Sequence, residues 1–204
     1  MAMGTFAMAG GDIAPVEPVV ETPMVEESTG AFYVGIAYGL ANYDASGTDY
    51  FQTRVDGTWS EDVDYDTVML QAGYKFNPYV ALEGRYWIGF DEDVNVDETI
   101  NIDTWGIYVK PMYPVTEAFD IYGLLGYASS DMESSYPGGS YPAPDMDGFS
   151  WGLGASYAFS DNLSVFVDYT DMYDDSDTVT YGPREVDDID SQITSWNFGV
   201  TYTF

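Results

Sequence analysis

The charged side chains best placed to do chemistry lie in runs that alternate apolar and polar residues. The chain has only five basic residues and no histidine. Lys75 and four further charged residues occupy polar positions of such runs. At about 3.3 Å per residue, the four lie at roughly one height above the nearest turn: Glu83, Arg85, Lys110 and Asp168. An unpaired charge away from water is costly, so we predict that these four form an internal ion-pair network.

Enzymatic chemistry has little support in this composition. The absence of histidine removes Ser-His-Asp triads, histidine-assisted acyl transfer and zinc sites built on imidazole. A hydrolase would have to work with carboxylates alone. We therefore expect no catalytic residues, no cofactor and no enzymatic activity.

One acidic segment has the spacing of a cation site. Asp91, Asp93, Asn95 and Asp97 alternate along the chain, and alternation in an extended segment places their oxygens on one face, as calcium would require. The segment is not an EF-hand, because Val96 stands where that loop needs glycine. The alternative, which we favour, is that these carboxylates are simply solvated.

The net charge of −30 excludes nucleic acid as a partner and favours cations, or a surface bridged by divalent cations. Of the 35 acidic residues, 24 lie in four segments that we predict to be loops or their edges. In the first of these segments, Asp62, Asp64 and Asp66 alternate. The charge is therefore expected to be concentrated on one side of the molecule.

The last nine residues, WNFGVTYTF, indicate which face of the strands is apolar. Trp196, Phe198, Val200, Tyr202 and Phe204 alternate with small polar residues. Period-2 alternation puts these two sets on opposite faces of a strand. Gly, Ser, Thr and Asn suit a cramped wet interior, so we predict that the large apolar set faces outward into lipid.

The same alternation recurs along the chain from residue 31. It predicts eight strands near 31–40, 66–76, 79–90, 102–113, 119–130, 148–159, 163–173 and 192–204. Three predicted turns are short (77–78, 114–118 and 160–162), and four predicted loops are long (41–65, 91–101, 131–147 and 174–191). Short turns at one end and long loops at the other are typical of transmembrane β-barrels. The fold class predicted is therefore all-β, an eight-stranded antiparallel up-and-down transmembrane barrel.

Outward aromatic residues fall at two levels along these strands. The upper level is predicted to contain Trp105, Trp151, Trp196, Tyr127 and Tyr86. It lies seven or eight residues from a lower aromatic level, a vertical span of about 20 Å for tilted strands. Two such levels are what interfacial aromatic side chains form on either side of a hydrocarbon layer. A soluble lipocalin-like barrel would instead place its apolar residues inside.

The N-terminal part has a different composition. Residues 1–9 resemble the end of an export signal, with an Ala7-Met8-Ala9 cleavage pattern. Residues 10–30 are rich in proline and glutamate and are expected to form an extended periplasmic tail. The barrel domain is expected to occupy residues 31–204.

The segments GYKFNPYVALEGRY and GLGASYAFSDNLSVFVDYT, together with the terminal aromatic strand, resemble the small eight-stranded outer-membrane β-barrels of the OmpA/OmpX-like group, also called porin-family proteins. The resemblance covers residues 31–204. It implies a bacterial outer-membrane location, periplasmic short turns, extracellular long loops, and no cofactor. It also implies that Phe204 is part of an insertion signal for the barrel assembly machinery.

Two functions follow from this resemblance and from the charges. The first is a structural anchor that displays acidic loops for adhesion, envelope integrity or partner contact. The alternative is a narrow cation-preferring channel, in which the internal charges would exchange partners as a gate rather than only fill the lumen. Expected partners are outer-membrane lipid and lipopolysaccharide, bridged by divalent cations, and the protein is expected to be a monomer.

Overall fold

The structure, a computed structural model, describes residues 30–51, 54–90, 92–95, 98–135, 146–181 and 184–204. The predicted signal-like segment 1–9 and nearly all of the predicted tail 10–30 lie outside the described residues. Among the described residues, no helix is long and apolar enough to cross a membrane.

The described chain is a closed, all-antiparallel β-barrel. Its strands are β1 (Ala31–Phe51), β2 (Arg54–Asn77), β3 (Val80–Gly89), β4 (Glu92–Asn95), β5 (Glu98–Pro114), β6 (Phe119–Ser135), β7 (Met146–Ala158), β8 (Leu163–Tyr181) and β9 (Arg184–Thr203). They pair in the order β3-β2-β1-β9-β8-β7-β6-β5-β4, and β3 also pairs with β5, which closes the ring. Because β3 and β4 both pair with β5, they form one interrupted strand of the wall. The predicted eight-stranded barrel is confirmed.

Side chains that cap backbone amides form the three short turns. Asn77 Oδ1 accepts hydrogen bonds from the amides of Tyr79 and Val80 at 2.8 and 3.0 Å. Thr116 Oγ1 accepts one from Phe119 at 3.0 Å. Ser160 Oγ accepts one from the Leu163 amide at 3.1 Å. Asn, Thr and Ser favour turns because their oxygens can replace a backbone acceptor in this way.

The predicted loop boundaries were wrong. The segments 41–65 and 174–191 are mostly strand: β1 and β2 pair up to Phe51 and Arg54, and β8 and β9 pair up to Tyr181 and Arg184. The predicted loops 91–101 and 131–147 are also shortened by β4, β5, β6 and β7. The prediction ended each strand where the outward residues become acidic, but the alternation itself continues there.

The polarity of the wall inverts at one level. On β1 the outward residue changes from the exposed Leu40 to Asn42 and Asp44, while the inward residue changes from Gly39 to the buried Tyr43. β9 and β7 change in the same way: on β9, Trp196 gives way to Thr194 outside, and Ser195 gives way to Ile193 inside. On β7, the outward residue changes from Phe149 to Asp147.

This inversion marks the edge of the hydrocarbon. Below it, exposed Phe, Tyr, Trp, Leu, Ile and Val side chains cover the outside of the wall, which water would not tolerate over so large an area. Above it, the wall has acids outside and apolar residues inside, as in a soluble protein. The barrel therefore continues beyond the membrane with the opposite polarity.

Inward glycines make room for large side chains in the lumen. A Cβ atom at Gly154 would lie 2.6 Å from Cζ of Tyr122 and 2.5 Å from Cβ of Asp168, and one at Gly199 would lie 2.6 Å from Cζ of Phe166. Side chains do not approach so closely, so the glycines and the aromatic residues are matched.

We expect Gly154→Ala to destabilise the folded barrel by about 1–3 kcal/mol, because the added methyl group must displace packed neighbours. Urea unfolding in lipid vesicles, followed by tryptophan fluorescence, would measure this change. Gly123→Ala is the matched control, since its Cβ would face outward with its nearest neighbour, Cγ of Pro111, at 3.5 Å. Equal stability of the two variants would contradict the matched packing.

Candidate functional site

Arg85 is the centre of the charged cluster in the lumen. Its Nε donates to Oε1 of Glu83 at 2.6 Å, and Nη2 and Nη1 donate to the two carboxylate oxygens of Asp168 at 2.7 and 3.0 Å. The three side chains are completely buried. One guanidinium group thus joins β3 to β8 across the barrel.

Lys110 on β5 completes the predicted group of four. Its Nζ donates to Oε2 of Glu83 at 2.7 Å and lies 4.0 Å from the ring centre of Tyr122. The structure therefore brings Glu83, Arg85, Lys110 and Asp168 together in one cluster. Lys75 also faces the lumen, 5.8 Å from the ring centre of Tyr33, but it forms no ion pair with a described residue.

Neutral side chains satisfy the remaining oxygens. Tyr33 donates to Oε2 of Glu83 at 2.6 Å, and Asp168 accepts from Tyr122 at 2.8 Å and from Asn197 at 2.8 Å. Trp87 Nε1 in turn donates to Oδ1 of Asn197 at 2.9 Å. The sequence did not predict these four partners of the cluster, Tyr33, Tyr122, Asn197 and Trp87. The alternation of apolar and polar residues places these side chains on the inward face, but it does not identify partners across a barrel.

Two strands contribute glycine at this height. Gly73 on β2 pairs with Tyr33 and Glu83, and Gly154 on β7 pairs with Asp168. Six strands of the ring therefore place side chains in this layer, and the two strands with glycine leave room for those side chains. This distribution lets two tyrosines and four charged groups share one cross-section.

The layer is closed to water except at Lys110, whose side chain is 10% exposed. Glu83 and Tyr108 are 0% exposed, Trp87 and Asp168 are 1% exposed and Arg85 is 3% exposed. A water-sized passage running past these side chains would leave some of their surface accessible. The arrangement holds charges firmly in place, but it provides no open path beside them.

An apolar layer lies above the charged one, toward the long hairpins. Its buried side chains include Tyr43, Tyr65, Ile102, Met146 and Ile193. Burial raises the pKa of both Tyr43 and Tyr65, so both remain neutral. The lumen is thus filled by two layers of different chemistry.

The five predicted interfacial aromatic residues lie on the outside of the wall. Their exposed fractions range from 38% to 51%: Trp105, Trp151, Trp196, Tyr127 and Tyr86. Trp105 contacts Tyr127 with ring centres 6.2 Å apart, and Tyr169 lies between Trp151 and Trp196 at 5.9 and 5.4 Å. Tyr169 was missing from the predicted set.

Aspartates lie directly above this aromatic level and accept hydrogen bonds from its tyrosines. Two such pairs are present: Tyr86 with Asp103, and Tyr127 with Asp147. The phenol groups therefore link the apolar belt to the acidic surface above it.

The predicted calcium residues lie outside the described part of the chain or have side chains outside it. Asp91 and Asp97 lie outside the described residues, as do the side chains of Asp93 and Asn95 in β4. In the part of the chain that is described, no group of three or more acidic residues is arranged to hold a metal ion.

Phe204 lies at the short-turn end and is 71% exposed. Its amide donates to the carbonyl of Phe32 at 3.0 Å, and its ring contacts Tyr202 with ring centres 5.0 Å apart. The terminal residue thus closes the pairing of β9 with β1. Its role as an assembly signal remains a prediction.

Comparison with known proteins identifies a family and a shared fold. The profile of the family described as outer membrane protein beta-barrel domain matches residues 14–204. Outer membrane protein A of Yersinia pseudotuberculosis serotype I is 30% identical over an alignment of 136 residues, which covers 62% of this chain and 38% of that relative.

Solved structures share the fold at low sequence identity. Ail of Yersinia pestis has a TM-score of 0.57 at 17% identity, covering 86% of this chain and 99% of its own. OprG of Pseudomonas aeruginosa has a TM-score of 0.59 at 18% identity, covering 87% and 98%. These are small outer-membrane barrels.

We expect Arg85→Ala to destabilise the barrel by about 3–5 kcal/mol, because it leaves the buried carboxylate of Asp168 without its cation and Glu83 with Lys110 alone. Loss of the heat-resistant folded band on gel electrophoresis, and a lower urea midpoint, would report this change. Lys75→Ala is the matched control: it also removes an inward cation, but not one in an ion pair with a described residue. Equal effects of the two substitutions would contradict a specific network.

Deletion of Phe204 is expected to lower the yield of folded protein in the outer membrane, because the β9–β1 closure loses its last amide bond and aromatic contact. The measurement is the folded fraction in isolated membranes, compared with a Phe204→Tyr variant that keeps both. Wild-type folded yield of the deletion would count against an assembly role.

Proposed function

This chain belongs to the outer membrane protein beta-barrel domain family, and from that premise we propose that it is a closed barrel that anchors acidic hairpins outside the cell. Its location is the bacterial outer membrane. The short turns face the periplasm and the long hairpins face outward, as in other barrels of this class. In this role the barrel is a support, and function lies in what its hairpins contact.

The closed lumen carries this proposal. The charged layer leaves Glu83, Tyr108 and Trp87 with at most 1% exposure, and the apolar layer above it would have to be hydrated before an ion could pass. Eight strands give an interior that side chains can fill. A constitutively open pore is not supported by this packing.

The surface that this chain displays is negatively charged, whereas one structural neighbour has been crystallised with a polyanion. Ail of Yersinia pestis has been crystallised with the heparin analogue sucrose octasulfate, which is a polyanion. Here Asp44, Asp62, Asp64 and Asp147 are exposed above the membrane edge. We propose cationic partners for this surface rather than polyanions.

Lipopolysaccharide is proposed as a partner through divalent cations. The tyrosine-bound aspartates Asp103 and Asp147 lie at the height where lipid headgroups begin, and a cation could join them to anionic phosphates. The barrel assembly machinery is the other proposed partner. The monomeric state is likewise part of the proposal, as is the absence of enzymatic activity.

A narrow cation-preferring channel is the second candidate. It is favoured by one feature of the cluster, which is that Arg85 has two carboxylate partners, Glu83 and Asp168. Movement of the guanidinium toward one of them would loosen the layer without leaving the cation unpaired. The exposed aspartates above the membrane edge would then concentrate cations at the outer mouth of the barrel.

Reconstitution of the folded barrel in a planar bilayer separates the two candidates. We expect no discrete current steps for the wild type, with or without calcium, because no water-sized path runs past the charged layer. Trp87→Ala/Tyr108→Ala removes two large rings from that layer and serves as the control that inserted protein can be detected. Cation-selective steps from the wild type would contradict the anchor and support the channel.

A further inference from the structure

Above the membrane edge, one side of β2 has no pairing partner among the described strands. β2 pairs with β3 only as far as Thr67 opposite Gly89, with one further bond from the Phe90 amide to the Asp66 carbonyl. Beyond this point β2 pairs, among the described strands, with β1 alone. β4 pairs with β5 and does not continue the ladder to β2.

The direction of the free backbone groups follows from that last bond. The carbonyl of Asp66 points toward β3, and successive residues of a strand point their backbone groups to opposite sides. The amides and carbonyls of Asp64, Asp62 and Ser60 therefore also point toward the unpaired edge. The backbone groups of the residues between them, such as Val63, point toward β1.

The same residues place their charges on the outer face. Asp62 and Asp64 are exposed, and Asn42 on β1 donates to both carboxylates, at 2.7 and 2.9 Å. Inward-facing Val63, which lies between them in the sequence, is half-buried, and inward-facing Tyr65, which follows Asp64, is buried. From Asp62 to Tyr65 the edge thus has carboxylates outside, held together by Asn42, and apolar side chains inside.

We infer that this β2 edge binds an extended peptide segment with alternating basic and apolar residues, which adds to the barrel as a further strand. Addition of a strand to an exposed edge uses main-chain hydrogen bonds for affinity and alternate side chains for specificity. Basic residues of the added strand would lie opposite Asp62 and Asp64, and apolar ones beside Val63 and Tyr65. The inference rests on the proposed display role, because it names the partner that the hairpins contact.

The charge of the edge selects this occupant over a second copy of the chain. Two β2 edges would bring like charges directly opposite each other, which is unfavourable in a sheet. At a net charge of −30, whole barrels would also repel each other. A basic strand has the opposite sign and meets neither obstacle.

The binding test uses the folded barrel in nanodiscs of zwitterionic lipid and a nine-residue peptide of alternating lysine and valine. A peptide of the same sequence, N-methylated on every second amide, keeps the charges but cannot form the ladder. We expect the methylated peptide to bind at least about tenfold more weakly, since strand addition depends on main-chain bonds. Equal binding of the two peptides would show adsorption to an acidic surface and overturn the inference, as would no binding of either.

Charge variants locate the site. Asp62→Asn/Asp64→Asn should weaken binding about tenfold, the combined effect of two cross-strand charge pairs. Glu117→Gln/Asp161→Asn removes two exposed carboxylates from the short-turn end and should leave binding unchanged. Equal losses for the two pairs would place binding elsewhere.

Amide hydrogen exchange measured by NMR gives the pattern specific to strand addition. The amides of Ser60, Asp62 and Asp64 should exchange more slowly when the peptide is bound, whereas those of Glu61 and Val63, already facing β1, should not change. Uniform or absent protection would overturn the inference. If the barrel is silent in the bilayer but the peptide does not bind, only the partner is wrong; if it conducts, the display role itself fails.

Discussion

The interior width of an eight-stranded ring constrains the rest of this structure. Such a ring holds side chains and little else, so a large inward residue requires a small one beside it. Tyr33 therefore lies next to Gly73, and Tyr122 next to Gly154. The same lack of space removes water from the charged layer, and that in turn requires each carboxylate to find donors from protein groups. Arg85, Lys110, Tyr33, Tyr122 and Asn197 supply them.

A second constraint acts on the outside of the wall. The bilayer requires apolar side chains only over its own thickness, whereas strand pairing can continue as long as backbone partners exist. The wall accordingly keeps its alternation past Leu40 and Trp196 but exchanges the chemistry of its two faces. The same β-ladder thus forms a membrane-embedded wall below this level and a water-exposed wall above it. The hairpins gain rigidity from this continuity, which a flexible loop would lack.

The sequence was sufficient for the features that depend on alternation alone. The alternation of apolar and polar residues predicted that four charged side chains face inward: Glu83, Arg85, Lys110 and Asp168. Counting residues from the nearest turn placed them at one height along the barrel. The alternation could not predict that Asn197 bonds to Asp168, or that Trp87 bonds to Asn197, because these contacts depend on the stagger between distant strands. The strand ends were mispredicted for a different reason. The predicted loops begin where the outward residues become acidic, although Tyr43 and Tyr65 still alternate with acidic residues there.

The exposed aspartates above the membrane edge determine which strands can pair with the unpaired edge of β2. An unpaired edge invites addition of another strand, and charged side chains are one way in which proteins prevent unwanted pairing. On the β2 edge, Asp62 and Asp64 have the same sign and lie on the same face, and Asn42 holds them together. Charges so arranged repel copies of the same edge and attract a strand of opposite sign. The feature that protects the edge from self-association therefore also makes it selective for a basic partner.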